Sequence, residues 1–209
     1  MSKTDIFEPK QKRSIEKKNH IIKTGLALMV EKGYHHTTTD DIAAAAGVST
    51  GIIYRYFKDK HDILLAGLKF AFQQMNEDKL FDITEDGGSS KDSIKNFVEM
   101  LLKRFIEVHI NNKSMHEELE AMRHSDTEVA QIYDEAENAI IMKIVNELAD
   151  RDDCEHTNLA ERTYAVFNLI EGYCHMYMKN ISSCINMECM KKVTVNSACR
   201  LLEKDITQM

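Results

Sequence analysis

Hydroxyls, cations and a glycine crowd the stretch TTTDDIAAAAGVSTGIIYRYFKDK, residues 37–60. Threonine, serine and tyrosine hydroxyls bond phosphate oxygens, arginine and lysine neutralise them, and glycine lets a backbone approach closely. The chemistry on offer is grip on a nucleic-acid backbone and recognition of base edges. Ser49 and Thr50 would stand at the leading end of a short helix, with Gly51 bringing the main chain near. Ile52 lies one place from the apolar Ile53, so it is expected to face outward, where it suits a thymine methyl. Arg55 suits a guanine edge or a phosphate. Tyr54, Tyr56, Lys58 and Lys60 suit phosphates, which fix register without reading sequence. Thr38 and Thr39 open another helix, whose free N–H groups also favour a phosphate. Each residue has a plainer use as well: tyrosine packs, lysine solubilises, and Thr38 caps.

Such residues act only if something rigid presents them. Ile42, Ala43 and Ala46 give the first short helix a thin apolar face that another helix can approach closely. Gly47 suits a left-handed turn. Val48, Ile53 and Phe57 can close a small core, the last two being four residues apart and so on one face. Helices of two turns do not persist alone, because nucleation is costly; both need a neighbour. It is predicted over Lys12–Lys32, where Ile15, Ile22, Leu26, Met29 and Val30 form one stripe opposite the lysines and Gly33 ends the run. Thr38 with Asp41 matches a capping box. The first short helix should close at Gly47, and Ser49 should cap the second, which reaches about Phe57. Helix, tight turn, helix is the arrangement that sets a helix into a major groove.

Val30-Glu31-Lys32-Gly33-Tyr34, Thr37-Thr38, Ile42-Ala43, Ala46-Gly47-Val48-Ser49, Gly51, Tyr54, Tyr56-Phe57 and Lys60 closely resemble, at matching spacing, the N-terminal domain of TetR-family transcriptional regulators. The resemblance implies an all-α homodimer with three N-terminal helices on operator DNA. It also implies a larger C-terminal domain that binds a small effector and dimerises through its last two long helices, the effector releasing the DNA. Position by position, it implies DNA contacts from Thr38, Thr39, Ser49, Thr50, Gly51, Tyr54, Tyr56 and Lys60. Position 50, often lysine in relatives, is threonine, and position 52, often smaller, is isoleucine. Both lie where bases are read, so no relative's operator sequence carries over.

The remainder also reads as helix. Pro9 is the sole proline and precedes the first periodic segment, so no later residue is barred from a helix, and apolar residues recur at helical spacing. Helices are expected from near Asp59 to about Phe81 and over 92–110, 115–123, 127–149, 158–180 and 187–206. Ser114 with Glu117, Ser125 with Glu128, Thr157 and Asn186 are their caps. DITEDGGSSKD, residues 82–92, reads as a loop. The fold expected is all-α, about nine helices in total: a three-helix helix-turn-helix domain over residues 1–58 and a larger effector-binding and dimerisation domain over 59–209.

Charge is uneven. Residues 1–60 carry eleven Lys/Arg against seven Asp/Glu, while the whole chain has a net charge of −7. A basic end on an acidic protein fits a local polyanion contact, or equally a solvated lysine-rich tail. Five cysteines without a CxxC pair favour reduced thiols in a cytosol over a disulfide framework. The start MSKTDIFEPKQKRS lacks the apolar core of a signal peptide, and no apolar run is long enough for a membrane span. The expectation is a cytoplasmic protein with no membrane partner.

A ligand pocket among helices 92–180 is expected from Phe105, His109, Met122, Tyr133, Met142, Phe167, Ile170, Glu171 and Cys174. Apolar walls with a few polar groups suit a small molecule, although Met and Phe at helical spacing serve equally as plain core. Twelve methionines fit an adaptable pocket or ordinary gap-filling. Tyr164, Phe167, Ile170, Tyr173, Cys174 and Tyr177 on one helix, and Met190, Val193, Val195, Ala198 and Leu201 on the last, make broad apolar faces. By the resemblance these form a dimer interface; by patterning alone, burial within one chain fits as well. His116-Glu117-Glu118-Leu119-Glu120 begins like a zinc-protease motif but lacks the histidine needed at its fifth position. Glu171 and His175, at i and i+4, could share a metal, yet two ligands do not complete a site. No nucleophile elbow, Walker or dinucleotide fingerprint is present, so neither an enzyme nor a cofactor is expected. The function expected is a homodimeric repressor on double-stranded, pseudopalindromic operator DNA, released by an unknown small-molecule effector. An activator or a regulator gated by a protein partner fits the same residues; an all-α enzyme or carrier retaining the fold is the third reading.

Overall fold

A computed structural model of the chain describes residues 7–77, 93–111, 113–179 and 185–204. Among them run α1 (Lys12–Lys32), α2 (Thr39–Ala45), α3 (Thr50–Tyr56), α4 (Lys60–Glu77), α5 (Ile94–Asn111), α6 (Lys113–Arg123), α7 (Thr127–Ala149), α8 (Leu159–Lys179) and α9 (Met187–Leu202). The extended pairing among the described residues is an isolated antiparallel bridge between Cys154 and Glu203. The all-α expectation holds. The chain divides into two compact units, one of the residues up to Gln74 with Ser114–Tyr133, the other of Met75–Lys113 with Asp134 onward.

In the first unit, α1 occupies the range that its apolar period predicted, but Ile21 replaces Ile15 on the buried stripe; Ile15 is 41% exposed. Ile21, Gly25 and Met29 form the stripe at i, i+4 spacing, and the glycine has a steric reason. A Cβ on Gly25 would lie 2.6 Å from Ile63 Cγ2 of α4 and 3.4 Å from Ile42 Cγ2 of α2. Gly67 is its counterpart on α4, where a Cβ would meet Leu26 Cβ at 3.0 Å. These two glycines let α1 and α4 approach closely. Around them pack Ile42, Ile53, Phe57, Leu64 and Leu68, with Leu119, Val129 and Ile132 from α6 and α7.

The predicted capping box opens α2. Asp41 N donates to Thr38 Oγ1 at 3.1 Å and Thr38 N donates to Asp41 Oδ2 at 2.9 Å. Bonds from the Thr38 hydroxyl and backbone hold the Asp41 carboxyl below its ordinary range. The helix stops at Ala45, and Gly47 turns the chain at φ +63°, a region that disfavours any side chain. Ser49 precedes α3 at the cap position but makes no side-chain cap bond, so the predicted Ser49 cap is one of position only. At α4, Asp59 Oδ1 accepts from Asp62 N at 3.0 Å and Asp62 Oδ2 accepts from Lys58 N at 2.8 Å. The expected end of this helix near Phe81 and the 82–92 loop lie outside the described residues.

Later caps needed correction in two places. Asp126, not Ser125, caps α7: its Oδ1 accepts from Glu128 N at 3.0 Å and Val129 N at 3.1 Å, while the Ser125 hydroxyl turns back to the Met122 carbonyl. Asn158, not Thr157, leads α8; it adopts φ 54°, and its carbonyl accepts from Arg162 N at 3.0 Å. Asn186 caps α9 as predicted, accepting from Cys189 N at 2.9 Å. That helix ends at Leu202, short of 206, because Glu203 leaves it to bridge Cys154 and the Leu202 carbonyl accepts from Glu155 N at 2.7 Å. The side chain of Ser114 lies outside the described residues.

In the second unit α5, α8 and α9 enclose Phe97, Leu101, Leu102, Ile170, Cys174, Ala198 and Leu202, with Ile144 and Leu148 from α7. Arg151, just beyond α7 and 2% exposed, makes a two-pronged bond to Asp153 at 3.0 and 3.1 Å and lies over the Phe97 ring. Burial pushes the Cys174 thiol far up and the Cys199 thiol up to about 11, so both are buried apolar groups with little thiolate character.

Candidate nucleic-acid interface

Positions 50, 51, 54 and 55 fall at i, i+1, i+4 and i+5 of α3 and therefore share a face. On it Gly51, Tyr54 and Arg55 are exposed, as is Ser49 just before the helix, and Thr50 is half-exposed. Tyr54 leaves 53% of its surface to solvent, far more than a tyrosine held by packing. Two side-chain bonds tie this face to the start of α2. The Tyr54 hydroxyl lies 3.2 Å from Thr39 Oγ1, and Thr50 Oγ1 donates to Asp40 Oδ1 at 2.7 Å. The hydroxyls of α3 and the N-terminal end of α2, with exposed Thr38 and half-exposed Thr39, are thereby held as one surface.

Three expected residues are placed differently. Tyr56 is 4% exposed and packs between Phe7 and Phe57, with ring centroids at 6.0 and 6.5 Å. It points into the core from the opposite side of α3 to Tyr54, so the expectation of a phosphate-facing Tyr56 side chain is corrected. Ile52, expected outside, is half-buried against the same core. Lys60 is half-buried, and its ammonium donates to the carbonyls of Tyr34 at 2.7 Å and Thr37 at 2.9 Å, above the Tyr34 ring. It clips α4 to the α1–α2 turn.

Two features escaped sequence reasoning. Asp40 is exposed beside Thr50 and brings a carboxylate to a surface expected to be basic; its position two residues after the helix cap made it look like a routine first-turn acid. Phe7 bonds through its N–H to the Arg55 carbonyl at 3.1 Å and offers its ring to the Arg55 guanidinium at 4.3 Å. No local pattern signals that a residue so early in the chain returns to α3.

The expected pocket residues divide. Phe105, His109, Phe167, Ile170, Glu171 and Cys174 come together between α5 and α8 in the second unit. The Phe105 and Phe167 rings meet edge to face at 5.6 Å. His109, 6% exposed, has Nδ1 2.8 Å from the Phe105 carbonyl and Nε2 3.2 Å from Glu171 Oε2; His175 Nε2 lies 3.5 Å from that same oxygen. Burial alone would raise the Glu171 carboxyl, but hydrogen bonds from His109 and His175 and their charge outweigh it and bring it down to about 2. Met122 and Tyr133 belong instead to the core of the first unit, Tyr133 facing Phe72 at 5.1 Å. Met142 is 51% exposed. The nine residues do not line one cavity in a single unit.

A family profile described as bacterial regulatory proteins, tetR family, matches residues 21–66, a range that contains α2, α3 and the Gly25–Ile63 approach of α1 to α4. A fatty acid metabolism regulator protein of Bacillus subtilis is 42% identical over 76 residues, covering 36% of this chain and 38% of that one. The chain spans only 24 to 38% of the length of the first curated relatives it matches. Among solved structures, a candidate TetR-family transcriptional regulator from Mesorhizobium loti superposes with a TM-score of 0.74 at 18% identity, over 93% of this chain and all of the other. The regulator FadR from Bacillus subtilis, solved in complex with stearoyl-CoA, superposes with a TM-score of 0.55 at 21% identity, over 87% of this chain and 97% of the other. At those identities the likeness is one of fold. Among the described residues, no helix is long and apolar enough to cross a membrane.

Proposed function

We propose that this chain is a TetR-family regulator, a homodimeric repressor that binds a pseudopalindromic operator and is released by a small-molecule effector. The observation that carries the DNA-binding part is the exposed α3 face of Thr50, Gly51, Tyr54 and Arg55, braced by hydrogen bonds to α2. Thr50 and Gly51 meet base edges; Thr38, Thr39, Ser49, Tyr54 and Arg55 hold the backbone. Lys60 assists by fixing the turn, and Ile52 and Tyr56 by seating α3. Asp40 repels phosphate but accepts from a cytosine amino group, so with Thr50 it favours particular bases at the cost of general affinity.

Dimerisation is supported by large apolar side chains left uncovered in one chain: Tyr164, Leu169 and Tyr177 on α8 and Val193 on α9 are 37 to 56% exposed. A second copy covering them would pair two α3 helices about a two-fold axis and match a two-fold DNA site. For the effector, Phe105, Phe167 and Ile170 offer apolar walls beside the His109–Glu171 pair. The stearoyl-CoA held by FadR is a precedent on this fold for an effector with a long apolar portion, which we extend to this chain.

Footprinting on fragments of the native genome tests the proposal. A protected two-fold-symmetric segment is expected, with affinity that falls steeply as salt rises because bound phosphates release counterions. Absence of saturable protection at low salt contradicts it.

A further inference from the structure

We propose that His109, Glu171 and His175 form a binding site for one divalent first-row transition-metal ion, held between α5 and α8. Sequence spacing provides two donors on one face of α8; the fold brings the third from α5. His109 Nε2 and His175 Nε2 lie 3.2 and 3.5 Å from the same Glu171 oxygen, and the ring nitrogens lie within 4.8 Å of one another. Donors around a tetrahedral zinc ion, at ~2.0–2.2 Å from it, stand roughly 3.4 Å apart. A small rotation of half-buried His175, whose side chain is 30% exposed, closes the set.

The orientation of His109 points the same way. Its Nδ1 lies 2.8 Å from the Phe105 carbonyl, which only accepts, so Nδ1 carries hydrogen. Nε2 then aims either a second proton or a lone pair at Glu171. A proton or a bound cation satisfies that approach, and an entering metal ion displaces the proton. An imidazole fixed through one nitrogen by a backbone carbonyl, with the other directed at an ion, is the usual support of a histidine ligand. Two imidazoles and one carboxylate suit zinc and its first-row neighbours, not magnesium or calcium, which prefer oxygen. His109 is 6% exposed, whereas the Glu171 and His175 side chains are 21% and 30% exposed, so the ion enters from the α8 side.

The test uses the full chain, purified without a polyhistidine tag, and titrates it with Co²⁺ and then Zn²⁺. One Co²⁺ per chain with the visible bands of a four-coordinate ion is expected, followed by displacement by Zn²⁺. Zn²⁺ should also raise the unfolding midpoint, since an ion bound to the native state stabilises it by mass action. His109→Gln, Glu171→Gln and His175→Gln should each weaken binding at least about tenfold, and His175→Gln, at the more exposed position, serves if the buried changes impair folding. The double variant His35→Gln/His36→Gln removes an adjacent pair of exposed histidines and should bind as wild type. No Co²⁺ bands, unchanged binding by a folded His175→Gln, or loss of binding only in the His35/His36 variant would each overturn the assignment. Because α5 and α8 lie apart from α2 and α3 in sequence and unit, operator binding is assayed independently, and the two proposals can fail separately.

Discussion

A Cβ built on Gly51 would meet nothing nearer than Ser49 Oγ at 3.9 Å, so alanine fits there while lowering the entropy of the unfolded chain. Gly51→Ala should therefore raise the unfolding free energy by about 0.5–1 kcal/mol in denaturant titrations. In fluorescence anisotropy the same variant should bind operator more weakly, because the methyl stands on the leading edge of α3. Unchanged affinity would remove Gly51 from the interface. Gly47 behaves oppositely. Its Cβ would also find open space, but φ of +63° strains any L side chain, and Gly47→Ala should lose about 1–2 kcal/mol. Asp40 and Thr50 share one hydrogen bond, so their substitutions should alter base preference non-additively.

At the scale of the element, α7 depends on one acid. Burial would raise the Asp126 carboxyl, but bonds from Val129 N–H, His61 and Glu128 N–H outweigh it and hold it below its ordinary range. A carboxyl lowered in the folded state stabilises above its unfolded range and loses that contribution as pH falls through it. Asp126→Ala should cost about 1–2 kcal/mol at neutral pH, and its deficit relative to wild type should shrink below about pH 4 in urea titrations. A pH-independent deficit would contradict the capping role. Elements of this kind were partly legible in the sequence. Thr38 with Asp41 and Asn186 announced their helices because capping bonds are local, and Lys12–Lys32 because its apolar period is long. Ser125 and Asp126 are adjacent, equally suitable caps, and only the path of the chain selects the acid. Tyr54 and Tyr56 differ by about 200° around a helix, yet which one faces solvent depends on where α1 and Phe7 lie. Lys60 looked like a phosphate ligand because carbonyls of a distant turn leave no mark beside it. Met122, Tyr133 and Met142 carried the right side chains for a pocket, but assembly into units follows tertiary contacts that periodicity does not encode.

Over the whole molecule, the first unit carries the exposed α3 face and the second leaves apolar residues of α8 and α9 uncovered. Val193 is 56% exposed, so Val193→Glu should leave the folded chain intact while placing a charge in the proposed dimer interface. Sedimentation should then report a monomer, with operator affinity reduced; a dimer of unchanged strength would move the interface elsewhere. Fold class and the helix, turn and helix of α2 and α3 were readable because they rest on periodic and local signals, whereas the separation of the pocket residues and the three-donor cluster appeared only once α5 and α8 were set side by side. The central claim is that the α3 face of Thr50, Gly51, Tyr54 and Arg55 reads DNA as a symmetric pair. Selection of bound duplexes from a random library, run in parallel with wild type and Thr50→Ala, tests it most directly. The account predicts a two-fold-symmetric site for wild type and a changed base preference at symmetric positions for the variant. An asymmetric site, no enrichment, or identical preferences for the two proteins would contradict it.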